Sequence, residues 1–169
     1  MRCTSAEANK LLKKLYEERE MLSREEAQAS VFVAATVENV GDVRPAYSFD
    51  EMNERINGVE QKILKVKHAI NVFNTTTEID GFDMTIDEML VFIPQLTAQK
   101  ERLKTMSNRL PMQRKSQKYG EKSNFIEYEY ANYNTEVALE MFKKISDVLV
   151  DAQLALDKVN TTKTMKIDI

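Results

Sequence analysis

A chain of 169 residues has room for a core of its own, because at that size roughly two-thirds of the unfolded surface is buried on folding. Only 4 Gly and 3 Pro leave too few turns for a sandwich or barrel, and Gly41, Gly58, Gly81 and Gly120 stand too far apart for a P-loop or dinucleotide fingerprint. One His and one Cys exclude His/Cys zinc sites and an intrachain disulfide, and a net charge of −3 gives no overall footprint for long nucleic acid or membrane.

The first helix is expected over residues 5–29. Thr4-x-x-Glu7 reads as a capping box, and Ala8, Leu11, Leu12, Leu15 and Leu22 follow at helical spacing. Residues 31–37 are rich in β-branched side chains, and a Gly41-Asp42 turn signal follows them, so they read as a short strand or extended link. Ser48-x-x-Glu51 opens a second helix, 49–74. Its stripe of Met52, Ile56, Val59, Ile63, Val66, Ile70 and Phe73 alternates steps of four and three, the heptad spacing of a packed seam. It should end at Asn74-Thr75-Thr76, with Asp80-Gly81 making the reversal.

Thr85-x-x-Glu88 heads a third helix over 86–109, in which Pro94 should kink or restart the chain. Residues 124–132 switch to period two, with Ile126, Tyr128 and Tyr130 on one face and Glu127 and Glu129 on the other, as in an exposed strand or hairpin arm. A fourth helix, 135–160, carries a stripe from Ala138 to Val159 and ends at Asn160-Thr161-Thr162. The expected architecture is mainly α: one domain, 1–169, folded as a four-helix antiparallel bundle with a small β-hairpin or extended arm, and oligomeric. The second and fourth helices then run the same way and bring the two Asn-Thr-Thr ends together.

No catalytic set stands out. His68 lacks the Glu three residues before it that a di-iron bundle requires, and no metal ligands or cofactor motif are written elsewhere. Residues 100–122 hold eight basic side chains against two acids, a local +6 in a chain whose remainder is −9. Arginine forks and tyrosine faces are what phosphate and base recognition use. The candidate ligand site is therefore Arg109, Arg114, Lys115, Lys118, Tyr119 and Lys122, with Asn74, Thr75, Thr76, Asn160 and Thr161 contributed from helix ends.

The order Ile70-Asn71-Val72-Phe73-Asn74, Gly81, Thr85, Tyr119 and Asn160 resembles a group of small helical bacterial proteins, some called septicolysin. Pro94, the missing tryptophan after Asn160 and the longer basic stretch depart from that pattern. The resemblance implies a helical homo-oligomer without a defining catalytic set. The expected function is a cytoplasmic, non-enzymatic, homo-oligomeric binding protein. It takes a small anionic ligand such as a nucleotide and has no cofactor and no membrane partner. The alternatives are a protein-interaction scaffold and a hydrolase using carboxylates.

Overall fold

The computed structural model describes residues 1–115 and 125–169. They are mainly helical, with three small antiparallel strand pairs. The chain divides into two compact units, one of Met1–Thr77 with Lys158–Ile169 and the other of Glu78–Asp157.

In the first unit β1 (Arg2–Thr4) leads into α1 (Ser5–Ala29), capped by the Thr4/Glu7 box. A short helix, α2 (Val40–Val43), precedes α3 (Phe49–Thr76), where Ser48 Oγ accepts the Glu51 N–H. α1 and α3 pack antiparallel, as their cross-links show: Arg55 holds both carboxylate oxygens of Glu25 at 3.0 and 3.1 Å, and Arg19 reaches Glu60 at 3.7 Å. Between them lie Ala8, Leu15 and Leu22 from α1 and Met52, Val59, Ile63, Val66 and Phe73 from α3, all buried. Ile56 and Ile70 of the α3 stripe are half-buried. β6 (Thr164–Lys166) pairs with β1, Cys3 opposite Met165, and the Met1 ammonium donates to the Ile167 carbonyl at 2.6 Å.

The second unit opens with the hairpin β2 (Glu78–Ile79) and β3 (Met84–Thr85), whose turn uses Gly81 at φ 86°, a conformation that costs glycine little. α4 (Ile86–Ser107) starts at the Thr85/Glu88 capping box and buries Ile86, Met89, Leu96 and Leu103. The helix does not restart at Pro94, one of the two outcomes expected there. The helix continues through it, and Thr97 Oγ1 donates to the Ile93 carbonyl at 2.9 Å on the following turn. β4 (Met112–Arg114) and β5 (Tyr128–Tyr130) then form an arm, and α5 (Thr135–Thr162), whose residues from Lys158 onward belong to the first unit, follows with Asn134 Oδ1 accepting from the Glu136 and Val137 N–H groups.

The stretch 31–37 forms no strand. It is irregular, passes through a turn closed by Glu38 N–H to the Ala35 carbonyl, and leaves Val31, Val33 and Val37 exposed. β-branched residues favour a strand only where a neighbouring strand can pair with it, and none is offered here among the described residues.

One plan is written twice along the chain: strand, capped helix, connection, helix ending Asn-Thr-Thr, strand. Ser5, Ala8, Leu15 and Leu22 have counterparts in Ile86, Met89, Leu96 and Leu103, and all eight are buried. Likewise Met52, Ile63, Val66, Phe73 and Ile79 match Ala138, Leu149, Ala152, Val159 and Met165, again all buried. The strand registers agree as well: Cys3 faces Met165 in one pair, and Met84 faces Ile79 in the other. The connections differ. The first half has the irregular link with α2 and the second has the arm.

Candidate binding face on the arm

Where the two halves differ, the chain is not bound by the shared core pattern, and the arm is the larger departure. In β4 and β5, Met112 lies opposite Tyr130, Gln113 opposite Glu129 and Arg114 opposite Tyr128. Residues opposite each other in an antiparallel pair share a face, and side chains alternate along each strand. One face therefore holds Met112, Arg114, Tyr128 and Tyr130, and the other holds Gln113 and Glu129. Backbone bonds from Lys115 N–H to the Glu127 carbonyl (2.9 Å) and from Ala131 N–H to the Pro111 carbonyl (3.0 Å) extend the ladder at both ends. Tyr133 Oη donates to the Met106 carbonyl at 2.9 Å and fastens the base of the arm to the end of α4.

The glutamates of the arm are engaged. Lys115 Nζ lies 2.7 Å from Glu127 Oε2, Gln113 Nε2 donates to Glu129 Oε2 at 3.1 Å, and Arg109 Nη1 is 4.0 Å from Glu129 Oε1. Arg109 and Lys115 thus spend their charge on neighbouring carboxylates. Arg114 makes no ion pair among the described residues, and Tyr128 and Tyr130 beside it are 47% and 65% exposed. Exposed ion pairs of this kind contribute little stability, about 0–1 kcal/mol each, so the aromatic face is not held shut by them.

Of the site residues expected from the sequence, Arg109, Arg114 and Lys115 come together on or beside this arm. Lys118, Tyr119 and Lys122 lie outside the described residues. Asn74, Thr75 and Thr76 close α3, and Asn160 and Thr161 close α5; all five belong to the first unit, whereas the arm belongs to the second. Their hydroxyls turn back on their own helices: Thr75 Oγ1 donates to the Asn71 and Val72 carbonyls, Thr76 Oγ1 to Val72 at 2.7 Å, and Thr161 Oγ1 to Lys158 at 3.2 Å. The sequence reading missed Met112, since Met112-Gln113-Arg114 is too short and too polar to signal a strand without its partner. Tyr128 and Tyr130 were legible as an exposed strand but not as neighbours of Arg114.

Among the described residues no cluster of three or more His, Cys, Asp or Glu is arranged to hold a metal, and no helix is long and apolar enough to cross a membrane. The chain matches no protein-family model, no curated protein and no solved structure.

Proposed function

We propose that this is a non-enzymatic, homo-oligomeric binding protein of the cytoplasm, and that the arm holds a small anionic ligand with a planar ring, a nucleotide being the natural example. The observation that carries this reading is the segregation of the arm. Arg114 stands beside exposed Tyr128 and Tyr130, while the carboxylates Glu127 and Glu129 face cations or an amide on the other side. A guanidinium can grip phosphate through two parallel bonds. A tyrosine ring stacked on a base contributes roughly 1–3 kcal/mol. The engagement of Glu127 and Glu129 weighs against the alternative of a carboxylate hydrolase.

Calorimetric titration with a panel of mono-, di- and cyclic nucleotides tests the proposal. Saturable heat that falls at least about tenfold in affinity in Arg114→Ala supports it, given the ordinary strength of a charge-assisted bond. Heat retained in full by Arg114→Ala and by the Tyr128→Ala, Tyr130→Ala double variant places the ligand elsewhere. A second reading, a protein-interaction scaffold, uses the same face, because Tyr, Met and Arg are enriched at the centres of protein interfaces. It takes over if no nucleotide in the panel gives heat.

A further inference from the structure

We infer that the groove between the C-terminal half of α3 and β6 is a binding site for a small amphipathic carboxylate, an aliphatic chain ending in one acid group. The groove lies wholly within the first unit and has a volume of about 530 Å³, inside the range of small-molecule sites. Ala69, Val72, Phe73 and Met165 give it an apolar floor. Lys65, His68, Lys166 and Asp168 stand at its rim. Lys166 Nζ is engaged by Asp168 Oδ1 at 3.1 Å, which leaves Lys65 and His68 with no ion-pair partner among the described residues. Thr76 also lines the groove, but its hydroxyl is spent on the Val72 carbonyl.

The internal repeat separates what the fold demands from what it does not. At three of the four floor positions the halves agree in kind: Ala69 corresponds to Ala155, Phe73 to Val159 and Met165 to Ile79, while the more exposed Val72 corresponds to Lys158. At the rim they do not: Lys65 corresponds to Asp151, His68 to Leu154 and Lys166 to Asp80. A packing requirement would recur in both halves. The Lys65 and His68 pair at the rim occurs once, so the core does not impose it. An open apolar trough costs free energy in water, and the Lys65 ammonium at its rim, with no ion-pair partner among the described residues, favours an anionic occupant over a cationic or neutral one. The complementary ligand is an anion whose charge is confined to one end and whose body is aliphatic.

Sodium decanoate, kept below its self-association concentration, is the probe, and 1-decanol is its neutral counterpart. Because His68 is the chain's single histidine, its imidazole resonances in an NMR spectrum need no disentangling from others. We expect decanoate to shift them saturably and to bind at least about tenfold more tightly than decanol, the margin of one charge-assisted contact. The Lys65→Ala, His68→Ala double variant, followed by calorimetry, should lose that margin. Val72→Asp, at a position 46% exposed and outside the helix core, should weaken both probes. No saturable binding of decanoate, equal affinity for decanoate and decanol, or affinity unchanged in both variants would each overturn the assignment.

Discussion

Ile63 and Leu64 are sequence neighbours with opposite surroundings, 8% and 61% exposed respectively. The heptad phase of α3 decides which of the two loses its contact with water. Ile63→Ala should cost roughly 2–5 kcal/mol, because burial and cavity formation both contribute. Leu64→Ala should change stability by less than about 0.5 kcal/mol, as surface substitutions do. Urea unfolding of the two variants checks this, and comparable losses would mean the helix phase is misassigned. The capping boxes act at the same scale. Glu7 and Glu88 accept hydrogen bonds from the backbone N–H groups of Thr4 and Thr85, and that bond to the charged form holds each carboxyl below its ordinary value of 4.5. A carboxyl depressed in the folded state contributes its stability in full above the unfolded value and loses it as pH falls through the folded one. Unfolding measured from pH 7 down to pH 3 should therefore show a shallower decline below 4.5 in Glu88→Gln than in the wild type.

At the scale of elements, pairing decides where the helical pattern says nothing. β6 gives β1 its only strand partner among the described residues, and Cys3 is buried across from Met165. Desolvation by burial, the largest influence, raises the Cys3 thiol above its ordinary value, which suppresses the reactive thiolate. A neutral maleimide should label the native thiol slowly. Removing residues 164–169 should unpair β1 and accelerate labelling by an order of magnitude or more, since reaction then no longer waits for local opening. Equal rates in the two forms would show that β6 does not cover Cys3. β5 teaches the same lesson from the other side. Its period-two pattern was legible, yet its partner β4 was not, because three polar or flexible residues acquire strand character only from the pairing itself.

Across the whole molecule, α5 carries more apolar surface than the chain buries. Ala138, Leu149, Ala152 and Val159 are buried, but Val137, Met141 and Val148, spaced four and seven residues apart on a neighbouring stripe, stay exposed. Exposed apolar surface arranged along one helix is the usual mark of a partner, and in a homo-oligomer that partner is a second copy. Light scattering at micromolar concentration should show an oligomer. Met141→Glu with Val148→Glu should shift it toward monomer without loss of helical circular dichroism. A wild type that is strictly monomeric would remove the homo-oligomeric part of the proposed function. The repeat sharpens this view of the chain, since the halves agree wherever the core is built and diverge at the arm and at the groove rim.

Sequence alone determined the four long helices and most of their inward faces. A stripe such as Met52, Val59, Val66 and Phe73 is set by the 3.6-residue turn, which needs no knowledge of what it packs against. Caps are local for the same reason: Thr4 with Glu7 and Thr85 with Glu88 close on themselves within three residues. Tertiary structure decided everything that depends on a distant partner. It left residues 31–37 without a strand to pair with, and carried Pro94 within one helix. It joined β1 to β6 across nearly the full length of the chain, set Arg114 beside Tyr128, and gathered Lys65 and His68 over a floor that includes Met165. Periodicity records which side of an element turns inward. Which residues meet there is set by pairing between segments far apart in sequence, and the order of residues along the chain does not record that distance in space.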